Sequence, residues 1–212
     1  IRELLKLLEQ PDIISFAGGI PDPDLFPAAD FEQAFRDILT GDQQAAALQY
    51  SVSEGYLPLR QWIVDQMARL DIACDVDNIL ITSGSQQALD YLGKLFLSPR
   101  DTALVAWPTY LGALGAFNAY EPLYDRLITG GNRSADDYLS TAQEKNSTVK
   151  FAYMSVDFAN PTGETMDRAA RDALLDMAQQ TGIVIVEDAA YQSLRYDGPV
   201  IPPILALDIA RN

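Results

Sequence analysis

The chain has 212 residues, 48% of them apolar and 21% charged, which suits one substantial folded core and excludes a disordered polypeptide. Lys and Arg number 15 against 30 Asp and Glu, and the resulting net charge of −15 repels nucleic acid and anionic membrane. Histidine is absent and Cys74 is the single cysteine, so a Ser-His-Asp site, a thiolate metal site and an internal disulfide are all excluded within these residues, and a reducing cytoplasm is the expected location.

Ile1 opens directly into an amphipathic segment, IRELLKLLEQ, with no signal-peptide pattern, and no run approaches the length of a membrane-spanning helix. SFAGGIPDPDLFP follows, with two glycines and three prolines in close succession, and reads as a shaped loop or connector. LPLRQWIVDQMARL predicts a helix with Leu59, Trp62, Ile63, Met67 and Leu70 on one face and Pro58 in its first turn. NILIT (78–82) reads as a strand, and SGSQQALDYLGKLFL as a helix that buries Ala88, Leu89, Leu92, Leu95 and Phe96. TALVAW (102–107) is a second strand and PTYLGALGAF a turn into a helix. PLYDRL, a helix around SADDYLSTAQEK, and the strand VKFAYMSV continue the alternation. After NPTGET, RAARDALLDMAQQ predicts a helix with Ala170, Leu174, Met177 and Ala178 inward, and IVIVED closes as a strand whose β-branched run reads as covered on both faces. Strand and helix in repeated alternation predict an α/β fold, a three-layer sandwich around a mostly parallel sheet.

In such a sheet ligands gather outside the carboxyl ends of the strands. That rim collects four loops: Ser83-Gly84-Ser85-Gln86, Trp107-Pro108-Thr109-Tyr110, Asn160-Pro161-Thr162-Gly163 and Glu187-Asp188-Ala189-Ala190-Tyr191. SGSQ opening a helix offers an anion site, or equally a serine cap with a glycine turn. NPTG alone is a turn. Asp188 ends an apolar strand, where an unpartnered carboxylate costs several kcal/mol, so it needs a cap, a metal or a cationic ligand. A ribose-binding acid is excluded because no glycines have the G-x-G-x-x-G spacing.

SGSQQALD, WPTYLGAL, ANPTG and VEDAAYQSLRYDG, in this order, together with the opening IRELLKLLEQPDIISFAGGIPDPDLFP, resemble the class I/II, fold type I aminotransferases that use pyridoxal phosphate. The resemblance is to the branch that contains aminoadipate and kynurenine aminotransferases and the effector domains of MocR-type regulators. It implies that Asp188 hydrogen-bonds the pyridine nitrogen, that Tyr191 and Asn160 hydrogen-bond the phenolic oxygen, and that Gly84, Ser85 and Gln86 form the phosphate loop. Tyr110 would stack on the ring, Tyr50 would reach the phosphate of the partner subunit's cofactor, and Gly19 would lie beside the substrate carboxylate. Glu187 is then a structural acid. The expected organisation is an N-terminal helix and substrate-side loop over 1–25 and a partial cofactor-binding large domain over 26–212.

The chain departs from the family pattern at Ala159, where Gln is common, and at Ala189, where a second aspartate is common. The family's Schiff-base lysine and substrate-gripping arginine belong to segments beyond Asn212, so the chain reads as incomplete at its C-terminus. Its four lysines, Lys6, Lys94, Lys145 and Lys150, fall at none of the rim loops. The expected function is transfer of an amino group from an amino acid to a 2-oxo acid by a homodimer, with residues 1–212 alone inactive. The alternatives are a regulator's effector domain and another pyridoxal phosphate reaction, such as C–S lysis or decarboxylation, on the same fold.

Overall fold

The structure, a computed structural model, describes residues 21–128 and 133–211 and divides the chain into two units, 1–51 and 52–212. The expected N-terminal helix and the glycine pair of the first loop lie outside the described residues. In the first unit, the proline-rich loop contains a single 3-10 turn at Pro23–Leu25, capped by the Asp22 carboxylate, which accepts from the Asp24 N–H. Helices α1 (Ala28–Thr40) and α2 (Gln44–Ala47) follow, and no described residue of this unit is buried.

The second unit contains α3 (Leu57–Ala68), α4 (Ser85–Phe96), β1 (Thr102–Val105), α5 (Leu111–Phe117), β2 (Leu123–Arg126), α6 (Ala135–Glu144), β3 (Val149–Met154), α7 (Arg168–Thr181), β4 (Val184–Glu187) and α8 (Ile204–Ile209). The four strands form one parallel sheet in the order β2-β1-β3-β4. Alternating side chains divide it into two faces. On one, Phe151, Tyr153, Ala103 and Val105 pack with Leu89 of α4 and Phe117 of α5. On the other, Leu104, Ala152 and Met154 pack with Tyr138 of α6, Leu174 and Leu175 of α7 and Ile204 of α8. Helices on both faces of a parallel sheet are the expected three layers. No helix among the described residues is long and apolar enough to cross a membrane.

Four expectations change in detail. Leu95 of α4, expected to be buried, is 73% exposed. NILIT is extended at Ile79 but makes no ladder among the described residues, its Ile81 N–H reaching only the Glu54 carbonyl, so it is not a strand here. β4 ends the sheet among the described residues, which leaves Val184 45% exposed instead of covered on both faces. On α3, Trp62 and Leu59 are exposed, and the buried side chain is Arg60, whose guanidinium donates to the carbonyls of Val76 and Ile79.

Candidate functional site

Parity along β4 explains why its two carboxylates diverge. Tyr153 pairs in register with Val186, and Asp188 lies two residues on, so these three side chains share the sheet face that carries the aromatic cluster. Glu187 takes the opposite face, where its two oxygens accept the N–H groups of Ile204 and Leu205 at the start of α8. Burial pushes the Glu187 carboxyl up, and these backbone donors only partly offset it. Glu187 therefore ties β4 to α8, as expected of a structural acid.

Asp188 is held at three points. Its N–H extends the ladder by one bond to the Met154 carbonyl, its Oδ1 accepts the Ala190 N–H at 3.2 Å, and its Oδ2 accepts the Tyr153 hydroxyl at 2.6 Å. Tyr153 is fully buried, its ring edge-on to Phe117 at 5.7 Å. Burial, and then the Asp188 carboxylate, raise the Tyr153 phenol far above its ordinary range, so it stays a hydrogen-bond donor at neutral pH. Tyr110, the N-cap residue of α5, packs against the same cluster. Its ring lies over Gly112 so closely that a Cβ there would stand 2.3 Å from the ring, so any larger residue at 112 would displace the Tyr110 ring.

The 83–86 turn joins this group from α4. Gly84 adopts φ 78° and ψ 164°, a region closed to other residues, and open space lies where its Cβ would be. This turn starts a helix of 12 residues, whose first N–H groups have no partner within the helix and whose dipole is positive at that end. Gln86 donates its side-chain Nε2 to the Gly112 carbonyl at 2.9 Å, bracing α4 against α5.

The 155–166 loop, which carries Asn160, is anchored by Asp157. One oxygen of this buried carboxylate accepts Arg171 at 2.9 Å and Arg195 at 2.6 Å. Arg171 is fully buried and also donates to the carbonyls of Met166, Val156 and Pro202, so it fastens the loop to α7 and to the segment after Tyr191. Asn160 itself is half-buried, and its turn closes through Gly163 N–H to Ala159 carbonyl and Ala159 N–H to Glu164 carbonyl. Tyr191 is 38% exposed.

Of the expected residues, then, Asp188 and Tyr110 belong to one packed group, Gly84, Ser85 and Gln86 join it through the Gln86–Gly112 bond, and Asn160 and Tyr191 follow the strand ends of the same rim. Tyr50 belongs to the first unit, where its ring is exposed, and Gly19 lies outside the described residues. Of the described lysines, Lys94 is exposed in the second half of α4, Lys145 caps the end of α6, and Lys150 begins β3 in an ion pair with Asp101 at 3.6 Å. All three lie toward the amino ends of the strands, away from the rim. Sequence reasoning missed Tyr153, Asp157, Arg171 and Arg195. A tyrosine at the end of an apolar strand was the available signal for Tyr153, and a charged residue inside an otherwise apolar helix stripe was the signal for Arg171.

A groove of about 930 Å³ runs along the β4 edge, lined by Ile183, Ile185, Ile204 and Leu205 among others. None of Ser85, Tyr110, Asn160, Asp188 and Tyr191 lines it. It adjoins the rim loop after β4 through Glu187 and Ala189 but lies on the α8 side of the sheet.

The rim residues fit the cofactor that the resemblance implies. They supply a carboxylate for a cationic ring nitrogen, a helix N-terminus with a glycine turn for a phosphate, and an aromatic ring beside both. Comparison with known proteins agrees. The family model for aminotransferase class I and II matches residues 11–210. The chain is 41% identical to aromatic-amino-acid aminotransferase 1 of Thermococcus litoralis, covering 98% of this chain and 51% of that protein. It is 40% identical to 2-aminoadipate transaminase of Thermus thermophilus, covering 98% of this chain and 50% of that protein. A crystal structure of kynurenine aminotransferase from Pyrococcus horikoshii superposes with a TM-score of 0.85 at 40% identity, over 97% of this chain and 52% of that one. The chain thus spans about half the length of the relatives it matches. With the parallel sheet, the glycine turn and the strand-end aspartate already in place, these matches make the chain a member of the class I and II aminotransferase family.

Proposed function

We propose that these residues are the cofactor-binding part of a pyridoxal-phosphate-dependent aminotransferase that moves an amino group from an amino acid to a 2-oxo acid. The observation that carries this reading is Asp188, fixed by Tyr153 at the rim that α4 opens on. Bound there, pyridoxal phosphate supplies an electron sink for negative charge at the α-carbon of an amino acid. The chain's own residues bind and orient. Asp188 accepts a hydrogen bond from the protonated ring nitrogen and holds that proton in place. Asn160 and Tyr191 hold the phenolic oxygen, Tyr110 covers the ring face, and Gly84, Ser85 and Gln86 take the phosphate with backbone N–H groups. Gly19, outside the described residues, is assigned to the substrate carboxylate on the resemblance alone. Tyr50 serves the phosphate in the partner subunit of a homodimer. A cytoplasmic location is part of the same proposal, and a lone cysteine in these residues is compatible with it.

The relatives at 40–41% identity are aminotransferases, which favours amine transfer over the effector-domain reading. Their printed substrates, aromatic amino acids and 2-aminoadipate, define the first panel to assay. The test is keto-acid-dependent amine transfer measured beside release of pyruvate and ammonia, in the enzyme that contains these residues. Transfer without elimination supports the proposal, and elimination alone would replace it. Mixing Tyr50→Phe subunits with subunits mutated at Asp188 tests the dimer: activity in the mixture is altered if Tyr50 crosses between subunits, and unaltered if it does not.

A further inference from the structure

The rim assignment leaves one buried titratable group without a role. Tyr153 stands on β3, not on a rim loop, is fully buried, and spends its hydroxyl proton on Asp188 at 2.6 Å, the shortest bond that this carboxylate makes. Its ring is fixed independently of that bond: Phe117 meets it edge-on at 5.7 Å, and Phe151 lies two residues before it on the same face. A donor whose own position is set by the core can set the position of its acceptor.

We propose that Tyr153 is the positioning residue for the cofactor's ring nitrogen, acting through Asp188. A carboxylate at a strand end can turn about its last side-chain bond. Here Oδ2 is pinned from inside the sheet face by Tyr153 and Oδ1 from the following turn by Ala190 N–H. The carboxylate plane is therefore fixed before any ligand arrives, with lone pairs on both oxygens left for an outside donor. Such preorganisation places the acceptor where a pyridinium N–H must point, and no ordering of the side chain is required on binding. Core geometry is in this way transmitted to the ring nitrogen through two hydrogen bonds in series. Register makes the arrangement obligatory. Tyr153 faces Val186, so the residue two beyond Val186 on the same face is the one that a side chain at 153 can reach.

The inference rests on the pyridoxal phosphate reading above, and the test separates the two. The enzyme that contains these residues is titrated with pyridoxamine phosphate labelled with 15N in the ring, for the unmutated protein, Tyr153→Phe, Asp188→Ala and the double variant. Phe keeps the ring that packs on Phe117, so folding is expected to survive, with near-ultraviolet circular dichroism as the check. Tyr153→Phe is expected to bind about tenfold more weakly, the scale of one hydrogen bond to a charged group. Its ring 15N resonance should move toward the unprotonated value. Both effects should vanish when Asp188 is already alanine, because Tyr153 acts only through it. Phe96→Leu, a packing change near Phe151, should lower the melting temperature and leave the 15N resonance in place. Should Tyr153→Phe not fold, the hydroxyl proton of Tyr153 in the unmutated chain should shift when pyridoxamine phosphate binds. If Asp188→Ala weakens binding while Tyr153→Phe changes neither affinity nor resonance, Tyr153 is only a core residue and the inference is overturned. If neither variant alters binding, the cofactor reading fails and takes the inference with it.

Discussion

Two amphipathic helices of similar length behave in opposite ways. In α1, Phe31, Phe35, Ile38 and Leu39 form a stripe at helical spacing, and all four are exposed, Phe35 by 65%. In α7, Leu174, Leu175 and Ala178 form a comparable stripe and are buried, the two leucines in one cluster with residues of β3 and α8. An apolar period therefore states that a helix needs a covering surface, and does not say which part of the chain supplies it. In α7 the surface is the sheet of its own unit. Within residues 21–51 nothing supplies one for α1.

The contrast can be broken most severely at Arg171, which lies within the buried stripe of α7. Arg171→Met leaves the Asp157 carboxylate in a buried setting with one partner fewer, and is expected to cost about 3–5 kcal/mol, read as a fall in the urea midpoint. An unchanged midpoint would show that Arg195 alone satisfies Asp157. Leu174→Ala, in the same stripe, is expected to cost about 2–5 kcal/mol. Phe35→Ala, the matching change on α1, should fall within about 0.5 kcal/mol at low protein concentration. A larger loss that grows with concentration would identify the α1 stripe as buried in an assembly, and would draw the homodimer proposal toward this helix.

The smallest effect concerns Glu187, on the α8 side of the sheet. Burial raises its carboxyl above the unfolded value, so the folded state favours the neutral form. The stability this gives is fully present below the unfolded pKa and is lost as pH rises through the folded pKa. Glu187→Gln keeps an acceptor for the Ile204 N–H and carries no charge. It should match or exceed the parent's stability at neutral pH and flatten the stability profile across the carboxylate range. A variant that is less stable at pH 7 would mean that the ionised carboxylate is itself the better cap.

The fold was largely legible because strand and helix periods alternate cleanly from residue 102 to the end of β4, and each strand and helix of that stretch lies where its pattern predicts, while the short α8 beyond it carried no such pattern. NILIT was not, because composition reports a preference for extended backbone and a strand also needs a neighbour to bond. The exposure of Val184 has the same origin: a β-branched run predicts a covered strand, and coverage belongs to whatever lies beside it. Among the site residues, Gly84, Tyr110 and Asp188 announce themselves by local chemistry: a glycine before a helix, an aromatic at a helix start, a carboxylate ending an apolar strand. Tyr153 and Asp157 do not, since their roles depend on register between strands and on arginines 14 and 38 residues away.

The central claim is that the rim around Asp188 holds pyridoxal phosphate, and the most direct test is equilibrium binding of the cofactor to the unmutated chain and to Asp188→Ala, followed by absorbance. The account predicts one saturable site in the parent and binding at least tenfold weaker in the variant. Equal affinity in the two would contradict it, because the ring nitrogen would then have no partner at the end of β4.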